Sequence, residues 1–136
     1  MKYKNSLVLG KMYPVTKGHL HLIDTALSQS EMVHVIITLN PSQSIPGEVR
    51  FEALKLCYDN VPNIKIYCVS DEGIPAYDYE CETLDEFYSY CVPLIYSQVD
   101  SLDVIFTSED YGNDFARYLG VEHVLVDKER VFHIIS

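Results

Sequence analysis

Leu7-Val8-Leu9-Gly10-Lys11-Met12-Tyr13-Pro14-Val15-Thr16-Lys17-Gly18-His19-Leu20-His21-Leu22-Ile23 is the stretch on which the reading of this chain turns. An apolar run ends at Gly10, a turn-prone segment follows, and an amphipathic pattern begins near Gly18, as when a buried strand feeds a helix. In an open α/β sheet, ligands lie beyond the carboxyl ends of the strands. The N–H groups and dipole at the start of the following helix attract phosphate there. The junction between strand and helix is therefore the expected ligand site.

The residues suit that use. If Gly18 opens the helix, positions 19, 23 and 26 share a face, which puts His19 on the inward side with Ile23 and Ala26. Lys17, His21, Asp24 and Ser28 then point to water. An imidazole at a helix start, beside the Thr16 hydroxyl and a flexible cation (Lys11 or Lys17), could hold the oxygens of a polyphosphate without supplying a nucleophile. Gly10 and Gly18 let the backbone come close to such a ligand.

Outward from this stretch the chain alternates strand and helix. Residues 3–10 read as a strand, 18 to about 30 as a helix with Leu20, Ile23 and Leu27 on its core side, and 32–39 as a strand rich in β-branched residues. Such a unit is right-handed and parallel. A loop at 40–47 again lies on the ligand side, and 48–60 is expected to be a helix with Arg50, Leu54 and Cys57 on one face. In its first turn Arg50 opposes the helix dipole, a cost that a bound phosphate would relieve; a surface pair with Glu48 or Glu52 explains it equally well. Residues 64–69 form a third strand, 70–82 an acidic loop, and 84 to about 99 a helix in which Pro93 predicts a kink or break. Residues 103–107 and 121–126 are the last two strands. Between them Ser108, Glu109 and Asp110 follow a strand end, Asn113 caps a short helix, and Gly120 stops it. The whole implies an α/β, Rossmann-like fold: a doubly wound parallel five-stranded sheet with helices on both faces.

The 136 residues suffice for one core, and no linker, repeat or low-complexity tract divides them, so the expectation is a single domain over residues 1–136. A net charge of −10 with scattered Lys and Arg argues against nucleic acid as a partner. No apolar run approaches the roughly 18 residues of a membrane span, and no signal sequence opens the chain, which points to a soluble, cytoplasmic protein. Cys57, Cys68, Cys81 and Cys91 are widely spaced and form no CxxC pair. They are expected to be ordinary buried thiols rather than a zinc or disulfide framework. Of the 11 tyrosines, Tyr77, Tyr79, Tyr88, Tyr90 and Tyr96 cluster in one stretch, and most should pack at the core edge. His34, His123 and His133 need no role beyond packing or solvation.

Gly10-Lys11-Met12-Tyr13-Pro14-Val15-Thr16-Lys17-Gly18-His19 resembles the (H/T)xGH signature of the nucleotidyltransferase superfamily. Its "GKxYP" and "GHxxLI" spelling is most similar to the adenylyltransferase domain of bifunctional nicotinamide-nucleotide adenylyltransferase and ribosylnicotinamide kinase proteins. Thr107-Ser108-Glu109 and residues 118–132 resemble the "TSE" and "YLGxExVLVDxxRxF" segments of the same group. Ile134-Ile135-Ser136 resembles the start of its second signature, ISxxxxR. The chain stops at that serine, before the signature's arginine and any kinase domain, and it lacks the group's tryptophans, in whose neighbourhood Leu84 and Phe87 stand.

The resemblance implies transfer of AMP from ATP, with Mg²⁺, to nicotinamide mononucleotide, giving NAD and pyrophosphate, in a protein for which a homo-oligomer is allowed. His19, Thr16 and Lys11 would be the catalytic residues. Gly10, Met12, Tyr13, Gly18, Arg50, Ser108, Glu109, Arg130 and Ser136 would bind nucleotide, and no protein metal ligand is expected. Another phosphorylated acceptor, such as phosphopantetheine, stays open as an alternative, as does a nucleotide-sensing module without turnover.

Overall fold

Leu7 and Val8 are neighbours in the first strand and both are fully buried, so that strand is covered on each face by helices. The computed structural model describes residues 2–10, 12–39, 44–70, 84–109 and 112–126. The elements run β1 (Tyr3–Gly10), α1 (Lys17–Gln29), β2 (Ser30–Leu39), α2 (Gly47–Cys57), β3 (Ile64–Ser70), α3 (Leu84–Tyr96), β4 (Val104–Thr107), α4 (Gly112–Leu119) and β5 (Glu122–Leu125). They form one sheet in the order β3-β2-β1-β4-β5, every pair parallel.

Period-two alternation sorts the strand side chains into two cores. Val8, Val33, Val35, Ile37, Val104 and Phe106 pack under α1 and α2 with Leu22, Ile23, Ala26 and Leu54. Leu7, Ile36, Val69 and Ile105 pack under α3 and α4 with Tyr88, Ile95, Phe115 and Leu119. The winding reverses between β1 and β4, which places the topological switch point at their carboxyl ends. The expected α/β, doubly wound sheet is the observed one.

Local chemistry sets the element ends. Gly120 stops α4 at φ 78°, with Val121 N–H donating to Ala116 O at 2.9 Å and Gly120 N–H to Arg117 O at 3.2 Å, a Schellman closure. Asn113 is not the cap of α4. It lies inside the first turn, which starts at Gly112, and its amide oxygen faces His123 Nδ1 at 2.8 Å. Helix α3 runs through Pro93 unbroken, and Ser97 N–H donates to Pro93 O at 2.9 Å.

On α1 the most buried residues are Leu22, Ile23 and Ala26, while Leu20 and Leu27 only border the core. Of the positions expected to face water, Lys17 and Ser28 are exposed, but His21 is half-buried. Asp24, although exposed, accepts the Tyr58 hydroxyl at 2.8 Å, and Tyr58 also donates to Leu20 O at 3.3 Å. Burial first, and the Asp24 bond second, push the Tyr58 pKa far upward.

Two thiols contradict the sequence reading. Cys57 and Cys68 are exposed: the first ends α2 and the second lies on β3, the edge strand of the sheet among the described residues. Cys91 is half-buried against the second core, and Cys81 lies outside the described residues. Of the tyrosine cluster, Tyr88 packs edge-on against Phe115 at 5.0 Å, and Tyr96 donates to Leu119 O at 2.8 Å; Tyr77 and Tyr79 lie outside the described residues. His34 is buried between the Asn5 amide oxygen and the Tyr67 hydroxyl, both at 3.1 Å. Desolvation, with the Lys65 charge second, lowers its pKa from the ordinary 6.5.

Candidate functional site

The turn after β1 delivers the chain to α1 through a cis peptide at Tyr13–Pro14. Met12 holds a left-handed φ of 50°, and its side chain, only 1% exposed, is a plug in the first core. Its backbone, rather than its thioether, is what a ligand could meet. Gly10 ends the strand, and a Cβ there would meet only Met12 at 3.4 Å, an ordinary contact, so this position does not require glycine for room. Gly18 is buried in the first turn of α1. Lys11 lies outside the described residues.

Thr16 is the N-cap of α1, in extended backbone. His19 N–H donates to Thr16 Oγ1 at 3.4 Å, and Thr16 N–H donates to His19 Nδ1 at 3.0 Å, with Oγ1 and Nδ1 3.1 Å apart. This is a capping box in which an imidazole replaces the usual Glu or Gln. Because Nδ1 accepts from a backbone N–H, the neutral ring carries its proton on Nε2 and presents that nitrogen as a donor. No acidic residue stands in the first turn of α1, so its positive end is not offset from within the helix.

Arg50 lies in the first turn of α2 and is 3% exposed, which removes the reading of a surface pair with Glu48 or Glu52. Its guanidinium lies 5.4 Å from the centre of the Tyr13 ring. The Tyr13 hydroxyl accepts Ser44 N–H at 2.7 Å and shares a 2.5 Å hydrogen bond with Ser44 Oγ. Those bonds, ahead of the Arg50 charge, lower the pKa of this exposed phenol. Tyr13 and Arg50 are thus brought together at the carboxyl ends of β1 and β2.

Ser108 and Glu109, both half-buried, form the turn after β4. Glu109 N–H donates to Thr107 Oγ1 at 3.3 Å, and the Thr107 hydroxyl lies 3.0 Å from Glu109 O and 2.6 Å from His123 Nε2. A Cβ on Gly112 would land on both Thr107 Oγ1 and His123 Nε2, so only glycine admits α4 so close. The sequence reading missed Thr107, Asn113 and His123 as supports of this turn. The one local signal was a hydroxyl at the end of a buried strand. Arg130 and Ser136 lie outside the described residues.

Among the described residues no group of three or more His, Cys, Asp or Glu could hold a metal. No described helix is long and apolar enough to cross a membrane.

The family model described as the citrate lyase ligase C-terminal domain matches residues 4–135. The trifunctional NAD biosynthesis/regulator protein NadR of Escherichia coli (strain K12) is 28% identical over 145 residues, covering 96% of this chain and 34% of that protein. The chain therefore spans about a third (34%) of the length of that relative. Among solved structures, a bifunctional NMN adenylyltransferase/ADP ribose pyrophosphatase from Francisella tularensis superposes with a TM-score of 0.68 at 20% identity, covering 92% of this chain and 38% of that one. The same enzyme has been solved with AMP and a manganese ion (TM-score 0.65, 21% identity). A NadR protein in complex with NAD and AMP-PNP gives a TM-score of 0.68 at 14% identity, covering 95% of this chain and 39% of that one. These structures share the Rossmann-like fold, and the family and relatives agree with the resemblance read from the Gly10–His19 and Thr107–Glu109 segments.

Proposed function

The chain belongs to the citrate lyase ligase C-terminal domain family, and from that premise we propose that it is an adenylyltransferase of NAD biosynthesis, transferring AMP from ATP to nicotinamide mononucleotide to give NAD and pyrophosphate. The observation that carries the reading is the Thr16–His19 box at the head of α1, beside the switch point of the sheet.

A phosphate oxygen of the mononucleotide attacks the α-phosphorus of ATP in line. The new P–O bond forms as the bond from the α-phosphorus to the α,β-bridging oxygen breaks, and pyrophosphate leaves with that oxygen. The protein contributes position and charge rather than a nucleophile. His19 Nε2–H and the N–H groups of the first turn of α1 donate to phosphate oxygens; the backbone at Gly10, Met12 and Gly18 lets them approach. Arg50, with Lys11 and Arg130, offsets their charge. Ser108 and Glu109 border the nucleotide, and Ser136 starts the second phosphate segment. A divalent ion, Mg²⁺, brought in with the triphosphate would supply further neutralisation of phosphate charge beside Arg50 and Lys11. Residues 1–136 act as one domain, in a cytoplasmic protein.

The test is pyrophosphate release with ATP and Mg²⁺, with NAD read out when nicotinamide mononucleotide is the acceptor. Phosphopantetheine as the productive acceptor would move the substrate but keep the reaction. A second reading has its own support in the family's name, a ligase, which suits adenylyl transfer to a carboxylate. Carboxylate acceptors in the same panel decide it. NAD or ATP binding without pyrophosphate release from any acceptor would leave a sensor.

A further inference from the structure

Three observations meet at Tyr13. Its hydroxyl accepts Ser44 N–H at 2.7 Å and shares a 2.5 Å bond with Ser44 Oγ, which joins the turn after β1 to the segment leading into α2. Two residues on, Pro46 N-caps α2 through its carbonyl alone, which accepts Val49 N–H at 3.2 Å, and no side-chain cap adds to it. Arg50, whose N–H donates to Pro46 O at 3.3 Å, buries its guanidinium 5.4 Å from the centre of the Tyr13 ring while Tyr13 stays 39% exposed. An aromatic face next to a desolvated guanidinium fixes its plane and shields it from water.

We infer that Tyr13 is a positioning residue: by gripping Ser44 with its hydroxyl and Arg50 with its ring, it locks the start of α2 to the turn after β1, so that Arg50 and the head of α1 meet one anionic ligand as a single rigid cradle. The inference deepens the adenylyltransferase reading and rests on it for the ligand, but not for the lock itself. Tyr13 acts through Arg50 and contributes no contact of its own to the nucleotide.

Its first test needs no substrate. In ¹⁵N-labelled protein, Tyr13→Phe should speed hydrogen exchange of the Ser44 amide and leave the Arg50 Nε–H protected. Tyr13→Ala should release both. Unchanged protection in Tyr13→Ala overturns the inference whatever reaction the chain performs.

The second test is ATP binding by calorimetry. Tyr13→Ala alone should weaken it about tenfold, and Tyr13→Ala combined with Arg50→Ala should bind within about twofold of Arg50→Ala alone. Losses that simply add would show Tyr13 touching the ligand directly and overturn the positioning role. A parent protein that binds no ATP would sink the adenylyltransferase reading, and the exchange result would still decide the lock.

Discussion

His19 and Thr16 cap one another: each backbone N–H donates to the other's side chain, at 3.4 Å and 3.0 Å. One side chain therefore serves two ends. Its Nδ1 closes the first turn of α1, and by doing so fixes the tautomer in which Nε2–H is the donor offered to a ligand.

That dual use separates stability from catalysis. His19→Ala should lower the unfolding free energy by about 1 kcal/mol through the lost cap, and lower adenylyl transfer roughly 10²–10³-fold. His19→Gln restores the reciprocal cap, because glutamine is a normal partner in this box, and should unfold within about 0.5 kcal/mol of the parent while staying catalytically slow. Urea denaturation and pyrophosphate release, measured on both variants, check this. A fast His19→Gln would reduce His19 to a structural cap.

Gly112 should tolerate no side chain. The Cβ of Gly112→Ala would land on Thr107 Oγ1 and His123 Nε2, so α4 must retreat, at about 1–3 kcal/mol. The Thr107–His123 bond that supports the Ser108–Glu109 turn opens with it. Thermal unfolding and the KM for ATP should both worsen. Parent-like values in both would show that the turn does not depend on this contact.

His34 makes stability depend on pH in a known direction. Its folded pKa lies below the ordinary 6.5 because burial disfavours the charged ring, so the unfolded chain takes up the proton first. Its contribution is complete above 6.5 and is lost as pH falls from there through the lower folded value. Denaturation midpoints at pH 7.5 and 5.5 should drop on acidification in the parent, and less in His34→Gln. Equal drops would remove His34 as the source.

The order of elements was legible because glycines and hydroxyls punctuate this chain. Gly10 ends β1 and Gly120 ends α4, the latter at a left-handed φ, whereas the helix read as opening at Gly18 begins at Lys17 with Thr16 as its cap. What escaped was decided at long range. Cys57 and Cys68 sit in apolar patterns, but Cys57 falls at the exposed end of α2, and Cys68 lies on β3, whose place at the end of the sheet order is a matter of topology. Asn113 has the chemistry of a cap, yet its oxygen is claimed by His123 from the neighbouring strand. Arg50 read equally well as a surface residue because the ring beside it arrives from the turn after β1, and no periodicity within α2 records that. Met12 carries its left-handed backbone with no glycine or asparagine to announce it, held there by a side chain sunk in the core.

Substituting Thr16 tests the cap without touching the imidazole. Thr16→Ser keeps the hydroxyl and should leave stability and turnover near those of the parent. Thr16→Ala should cost about 1 kcal/mol through the lost side-chain cap, while the backbone N–H of residue 16 still donates to His19 Nδ1 and keeps the ring proton on Nε2. Nδ1 and Nε2 chemical shifts of His19 report the tautomer directly. A ring proton moved to Nδ1 in Thr16→Ala would show that the hydroxyl, and not the backbone N–H, sets the tautomer.

The most direct measurement is a crystal structure of the chain with a non-hydrolysable ATP analogue and Mg²⁺. The account requires the phosphates at the head of α1, within hydrogen-bond reach of His19 Nε2 and the first-turn N–H groups. Phosphates seated elsewhere, for instance in the groove between Lys55 and Lys65 along β3, would contradict it.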